Sequence, residues 1–262
     1  MIEPFFEYLP RAPARILLLD LDGTLAPFET DRSAVTPYPG IRGVLRQIIA
    51  TGRTRLAVVS GRGVEDLRRV LDLEPAPDLW GGHGWERIDA AGASWRREVP
   101  ADAGAALDRA AEALTALELG DRIERKYASL AVHLRGLAPR EAERVRAAAD
   151  AAIASASSDA VSSHAFDGGL EVRVQGWDKG DAVRSILASE PGRAAVAYLG
   201  DDETDEDAFR ALRQAEASGQ AVTLAVLVRP EPRATDASHH LEPAGVLAFL
   251  RRWRDASGRT EP

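Results

Sequence analysis

The chain alternates short apolar runs with segments whose apolar residues recur at helical spacing. Ile16-Leu17-Leu18-Leu19 opens an apolar run that predicts a strand over 16–21, ending among Asp20, Asp22 and Gly23. A helix is expected over 41–49, where Leu45, Ile48 and Ile49 share a face, then a strand over 56–59 and a helix over 64–70. A short strand begins at Leu79-Trp80. The last third repeats this rhythm: helix 181–187, strand 194–199, helix 206–217, strand 222–228 and a closing helix 246–253. Strands apolar on both faces, separated by amphipathic helices, predict a parallel α/β sheet with helices covering it.

Between 85 and 174 the pattern changes. A hairpin is expected over 85–88 and 94–98, turning at Ala90-Ala91-Gly92, followed by an alanine-rich helix over 103–119. Strands over 121–127 and 130–135 precede a helix opened by Pro139, a residue suited to the first helical position. A second hairpin joins 161–166 to 170–174 around Asp167-Gly168-Gly169. Antiparallel pairs with two intervening helices predict a separate α+β layer. The expected division is a core made of 1–84 and 175–262, with 85–174 inserted into it. Trp80, Trp85 and Trp95 are expected to pack at the junction or within the insert.

Composition narrows the functional classes. Of 262 residues, 45% are hydrophobic, which favours a folded chain over disorder. The 41 acidic and 33 basic residues leave a net charge of −8, which gives no support for attraction to nucleic acid or an anionic membrane. With no cysteine, disulfides, thiolate metal ligands and cysteine nucleophiles are excluded. No basic-then-apolar leader and no apolar run of membrane-spanning length are present, so a soluble cytoplasmic protein is expected.

The candidate chemistry lies where apolar strands end. If the first strand continued through 22, Asp20 and Asp22 would share a face; a turn at Gly23 would instead bring backbone groups to a ligand. Two carboxylates beside an apolar run need a positive partner. They also repel an anionic substrate unless a hard divalent cation joins acid oxygens to substrate oxygens, and magnesium is the natural candidate. Thr24 adds a hydroxyl. Ser60-Gly61-Arg62 follows another strand, offering a hydroxyl for a phosphate oxygen and a guanidinium for anionic or polar substrate groups. Lys179 stands directly before a helix, where its ammonium could neutralise a nucleophile and a transferred anion. The run Asp201-Asp202-Glu203-Thr204-Asp205-Glu206 is too acidic to be explained by helix capping alone. Asp201 is best placed to complete a metal site, with Asp202 and Asp205 orienting ligands or neutralising Lys179. Calcium-loop, Walker and complete dinucleotide patterns are absent. His83 reads as a local turn histidine that could shape an entrance, and His239-His240 as surface or strand-end residues.

Together these motifs resemble the haloacid dehalogenase superfamily of phosphotransferases. Asp20-Leu21-Asp22-Gly23-Thr24 is similar to its first motif, Ser60 to the second, Lys179 to the third and Asp201-Asp202 to the fourth. The resemblance implies a Rossmann-like core with an inserted α+β cap. It implies Asp20 as nucleophile and Asp22 as proton donor and later base. Magnesium would be held by Asp20, the backbone carbonyl of Asp22 and Asp201. Ser60, Gly61 and Lys179 would bind the phosphoryl group, with Asp202 and Asp205 supporting.

Within the superfamily the chain is similar to trehalose-6-phosphate phosphatases. The similarity rests on Ser60-Gly61-Arg62, Gly82-His83-Gly84, Glu124 with Lys126, His133 with Arg135, Glu171 with Arg173, Lys179-Gly180, and Gly200-Asp-Asp-x-Thr-Asp-Glu-Asp-Ala-Phe209. His133-Leu134-Arg135, Glu171-Val172-Arg173-Val174 and Asp178-Lys179-Gly180 depart from the family's usual His-Tyr-Arg, Glu-Ile-Arg-Pro and Asn-Lys-Gly. The resemblance implies a sugar-phosphate substrate met by Arg62, Glu124, Lys126, His133, Arg135 and Glu171. Glu124–Lys126 and Glu171–Arg173 could equally be ion pairs on an exposed sheet face. The expected function is magnesium-dependent hydrolysis of trehalose 6-phosphate through an aspartyl-phosphate. Another sugar-phosphate or glucosylglycerol/glycosylglycerate phosphate phosphatase, and a noncatalytic sugar-phosphate sensor, remain as alternatives.

Overall fold

Strands apolar on both faces must be covered on both. The computed structural model, which describes residues 2–258 apart from 157, 167 and 191, meets that need with helices around a parallel sheet. In chain order the strands are β1 (Arg15–Leu19), β2 (Arg55–Val59), β3 (Asp78–Gly81), β4 (Glu86–Ile88), β5 (Ser94–Arg96), β6 (Ile123–Arg125), β7 (Ser129–His133), β8 (Val161–Phe166), β9 (Gly169–Val174), β10 (Ala194–Gly200), β11 (Ala221–Val228) and β12 (His239–Leu241). The helices are α1 (Glu3–Tyr8), α2 (Ile41–Ala50), α3 (Val64–Leu71), α4 (Ala101–Thr115), α5 (Pro139–Ala156), α6 (Lys179–Ala188), α7 (Asp205–Ala217) and α8 (Val246–Gly258). By internal contacts the chain forms two units, Met1–Trp95 with Asp178–Pro262, and Arg96–Trp177.

The first unit's sheet has the order β12-β11-β10-β1-β2-β3-β4-β5. Pairing is parallel from β12 through β3, so those strands release their chains at one edge. The chain leaves β1 toward β2 on one side while β10 lies on the other, a reversal of strand order that opens a crevice at the carboxyl ends. Leu17, Leu19, Val58, Ala197, Leu199 and Val226 face one core with Val44, Leu45 and Ile48 of α2 and Phe249, Leu250 and Trp253 of α8. Each fully buried Leu, Ile or Val there stabilises the fold by about 1.5–3 kcal/mol. Strand alternation sends Tyr198 to the opposite face, where its ring meets Phe209 of α7 edge-on at 5.7 Å.

Three expectations change. The hairpin after β3, expected in the insert, extends the first unit's sheet because β4 pairs antiparallel with β3: Leu79 opposite Ile88, Trp80 opposite Arg87 and Gly81 opposite Glu86. Trp95, on edge strand β5, is 45% exposed, whereas Trp80 and Trp85 are buried. Strand β1 also stops at Leu19, so Asp20 and Asp22 lie beyond the ladder.

The second unit is an antiparallel sheet of order β6-β7-β9-β8 with α4 and α5 packed on each other. Leu130, Val132, Leu170 and Val172 are buried. Helix α4 contributes Ala103, Ala106, Leu107, Ala110 and Leu114 at helical spacing, so its alanines are a packed face. The expected turn residue Asp167 lies outside the described residues.

Candidate active site

Every core residue singled out in the sequence stands at or near the carboxyl edge of the parallel strands. Just after β1, Asp20 N–H donates to Leu199 O at 2.9 Å. The chain then turns, with Gly23 at φ +83° and its N–H on Ala26 O at 2.8 Å. A Cβ at Gly23 would fall 2.3 Å from Asp201 Oδ2, so this close approach of backbone to carboxylate requires glycine. The two aspartates therefore separate: Asp20 is buried and faces Lys179, while Asp22 faces Arg62.

Lys179 is the first residue of α6, set there by a capping box in which Asp178 and Asp181 exchange side chain–backbone hydrogen bonds. A cation at a helix N-terminus opposes the helix dipole. Two carboxylates compensate: Nζ donates to Asp20 Oδ1 at 2.8 Å and to Asp205 Oδ1 at 2.7 Å, with Lys179 only 3% exposed. Burial alone would lower the Lys179 pKa, but Asp20 and Asp205 outweigh it and hold the ammonium charged.

Asp205 anchors the acidic segment. Its Oδ1 also accepts from Tyr198 Oη at 2.6 Å, and its Oδ2 accepts the backbone N–H groups of Asp201 and Asp202, both at 3.0 Å. Sequence reading missed Tyr198. Its signal was a phenol inside an otherwise aliphatic buried strand, which calls for a hydrogen-bond partner. Asp202 accepts from Glu203 N–H at 2.7 Å, as a local turn residue does.

Oxygens of Asp20, Asp201 and Asp205 lie within 4.8 Å of one another, and all three residues are buried. Burial raises Asp20 to about 8, Lys179 opposing the rise and Asp205 adding to it. Burial likewise lifts Asp201 well above the usual carboxylate range, Asp20 and Asp205 adding to it. Asp201 Oδ1 is buried without a hydrogen-bond partner, as is Thr24 Oγ1. Asp205 has both oxygens committed to donors, whereas Asp201 keeps an unsatisfied one. The residues thus fit a hard divalent cation, with Asp20 and Asp201 as carboxylate ligands and the excess negative charge as the attraction. Such a cation would hold both acids ionised.

Ser60 and Gly61 follow β2. Ser60 is 2% exposed, and its Oγ accepts from Arg62 N–H at 3.3 Å. A Cβ on Gly61 would stand 2.7 Å from the His83 imidazole, so the buried ring packs directly under this turn. His83 adopts φ +58°, and its N–H donates to Ser60 O at 2.9 Å. Arg62, expected to meet substrate, grips Asp22 with both edges of its fork: Nε to Oδ2 at 2.6 Å and Nη2 to Oδ1 at 2.8 Å. Its Nη1 donates to Asp66 at 2.6 Å.

In the second unit the pairs differ from the same-strand ones considered for the sequence. Lys126 Nζ donates to Glu171 Oε1 at 2.7 Å, and Ser129 Oγ donates to the same oxygen at 2.7 Å. Register explains this: Ala131 of β7 lies opposite Glu171 of β9, and Lys126 folds back through its N–H onto Ser129 O at 2.9 Å. Glu124 instead pairs with His133, Oε2 to Nε2 at 2.9 Å. Arg135 lies against Gly168. Ser129 was not foreseen, since a serine within an apolar strand carries no motif.

Parallel strands deliver two aspartates, a serine and further aspartates to one edge, where Lys179 at the head of α6 meets them, and with the inserted α+β unit this is the fold of solved phosphatases of the haloalkanoate (HAD) superfamily. The chain belongs to the trehalose-phosphatase family, whose profile matches residues 18–242. A trehalose-phosphate phosphatase of Mycobacterium avium (strain 104) is 33% identical over 268 residues, covering 96% of this chain and 64% of that protein. The chain therefore spans less than two thirds of that relative's length. A trehalose 6-phosphate phosphatase of Zea mays is 30% identical over 272 residues, covering 94% of this chain and 72% of that one. The C-terminal domain of C. albicans trehalose-6-phosphate phosphatase has a TM-score of 0.81 at 22% identity, covering 97% of this chain and 96% of that one. The C-terminal domain of Candida albicans trehalose synthase regulatory protein has a similar fold, with a TM-score of 0.72 at 14% identity and coverage of 96% and 97%. No helix among the described residues is long and apolar enough to cross a membrane.

Proposed function

We propose that this chain hydrolyses trehalose 6-phosphate to trehalose and phosphate, with magnesium as cofactor and Asp20 as nucleophile. The observation that carries the reading is the buried ammonium of Lys179 shared by Asp20 and Asp205, beside an Asp201 oxygen that has no protein partner. A structural ion pair has no need of surplus buried carboxylates, whereas a cation-assisted phosphoryl transfer does.

Asp20 attacks phosphorus as the bond from phosphorus to the sugar oxygen breaks, and Asp22 gives that oxygen a proton. Arg62 takes one lone pair on each Asp22 oxygen, so the proton is carried on a remaining one. Asp22, again a carboxylate, then takes a proton from water as the water oxygen attacks the aspartyl-phosphate. The Asp20–phosphorus bond breaks and inorganic phosphate leaves. Lys179 offsets negative charge on Asp20 and the phosphoryl oxygens throughout, while Ser60 and the Gly61 backbone supply hydrogen bonds. Magnesium, when bound by Asp20, Asp201 and the Asp22 carbonyl, would draw charge from the transferring phosphoryl group. In the second unit, Lys126 and Glu171, with Glu124, His133 and Arg135, are assigned to the sugar hydroxyls, which require donors and acceptors more than apolar surface.

Phosphate release measured with magnesium across trehalose 6-phosphate, monosaccharide phosphates and glucosylglycerate phosphate tests this reading. Preferential turnover of trehalose 6-phosphate, lost in Asp20→Asn, is the expected result. Equal turnover of monosaccharide phosphates with none of trehalose 6-phosphate would exclude the assigned substrate. Undiminished activity in Asp20→Asn would exclude the nucleophile.

A further inference from the structure

The backbone of Asp201 and Asp202 is held from two directions. On one side Asp205 Oδ2 takes both of its neighbouring N–H groups, at 3.0 Å each. On the other, two guanidinium groups from the segment after β11 take the carbonyls. Arg229 Nη1 donates to Asp201 O at 3.2 Å, and Arg233 Nη2 donates to Asp202 O at 3.0 Å. Arg233 is itself braced, with Nη1 2.6 Å from Glu206 Oε1. Glu206 also accepts from Thr235 Oγ1 at 2.8 Å and from Asp236 N–H at 2.7 Å. The segment is fixed to the sheet edge as well, since Arg229 N–H donates to Leu241 O at 3.0 Å.

This arrangement has an electrostatic and a steric purpose. The run from Asp201 to Glu206 places five acids in six residues, a segment that repels itself unless cations lie against it. Its first carboxylate must also sit against Gly23, where a methyl group would be 2.3 Å from Asp201 Oδ2. A small displacement of the peptide would therefore swing the Asp201 carboxylate away from Asp20. Arg233 is the group that ties this stretch of backbone, at Asp202 O, to α7 through Glu206 and to the segment after β11.

We propose that Arg233, braced by Glu206, is a positioning residue for the divalent-cation site formed by Asp20 and Asp201. The inference rests on reading that pair as a cation site. Partners of this kind, removed from the ligands by one shell, typically contribute about 10- to 100-fold in metal affinity.

Calorimetric titration of the full chain with Mg²⁺ alone tests it, comparing wild type with Asp201→Asn, Arg233→Gln, Arg233→Lys, Glu206→Gln and Arg213→Gln. Arg233→Gln and Glu206→Gln are each expected to weaken Mg²⁺ binding by roughly tenfold or more, and the double variant to be no worse than the weaker binder. Arg233→Lys keeps the charge but not the fork and should fall between. Arg213→Gln removes an exposed ion pair with Asp236 on the same segment and should leave binding unchanged. Phosphate release by Arg233→Gln should recover as Mg²⁺ is raised, which a merely destabilised fold would not do. Should Arg233→Gln fail to melt cooperatively, Glu206→Gln and Arg233→Lys decide the question. Mg²⁺ binding within about twofold of wild type in Glu206→Gln and the Arg233 variants, with Asp201→Asn impaired, would overturn the inference. Equal binding by wild type and Asp201→Asn would instead overturn the cation-site reading beneath it.

Discussion

The two units bury charge in opposite ways. In the first, Asp20, Asp201 and Asp205 gather around the single ammonium of Lys179, leaving negative charge in excess. In the second, Glu171 meets Lys126 and Glu124 meets His133, so each acid has its own basic partner. On the proposed function, the difference follows from what each would bind. Phosphoryl transfer needs an acid cluster incomplete without a cation, because the transferred group is itself an anion. A neutral sugar needs donors and acceptors already held in place, with no surplus charge to repel or trap it. Where charge is left uncompensated is therefore a better guide to chemistry than how many charges a region carries.

The same substitution made in both units should break or sharpen this contrast. Lys179→Met removes the only ammonium among the described residues bonded to Asp20 and Asp205, and phosphate release should fall on the order of 10³-fold. Breaking a buried pair in this way should also cost about 3–5 kcal/mol of stability, read from thermal or urea melts. Added Mg²⁺ should restore part of that loss, because it supplies the missing positive charge. Unchanged melting would mean that the acids in this cluster do not depend on the lysine.

Lys126→Met should act on recognition instead. KM is expected to rise by roughly 10- to 100-fold, the worth of one hydrogen bond to a charged group, with kcat changed only a few-fold. Ser129→Ala should follow in the same direction with a smaller effect, since Glu171 would lose one of its donors. A loss confined to kcat in either variant would remove the second unit from substrate binding.

The smallest effect belongs to Asp66, where charge is compensated within the first unit. Burial raises its pKa, but hydrogen bonds from Arg62 and Arg69 outweigh that and leave it below the ordinary value. A depressed carboxyl contributes stability above its unfolded pKa and loses it as pH falls through the folded one. Asp66→Asn should therefore cost about 0.5–1 kcal/mol in urea unfolding at pH 7, a difference that shrinks toward zero below pH ~3. A difference independent of pH would place the effect elsewhere than in ionisation.

Much of the core was legible because it is local. Ile16 through Leu19 could only be a buried strand, and the residues at such strand ends, Asp20, Ser60 and Asp201, are brought to one edge by parallel topology alone. Lys179 was legible as a residue but not as a contact, since its reach to Asp20 crosses 159 positions. Strand periodicity could not tell whether 86–96 would pair with β3 or with the inserted layer. The ladder between Leu79 and Ile88 settles that through partners the periodicity does not name. In the second unit, alternation put Glu124 and Lys126 on one strand, but β6 ends at Arg125 and the two residues turn to different neighbours.

By itself, then, the sequence determined the alternation of strands and helices, the insertion of a second layer and the residue types able to handle a phosphoryl group, because these follow from spacing along one chain. Only the tertiary structure decided how they are connected. Tyr198 and Lys179 converge on Asp205, Arg62 grips Asp22, and Arg229 and Arg233 hold the backbone carbonyls of Asp201 and Asp202. Each of these is a hydrogen bond between groups buried or part-buried against one another. Which donor reaches which acceptor depends on how helices and strands pack, and no single segment contains that information.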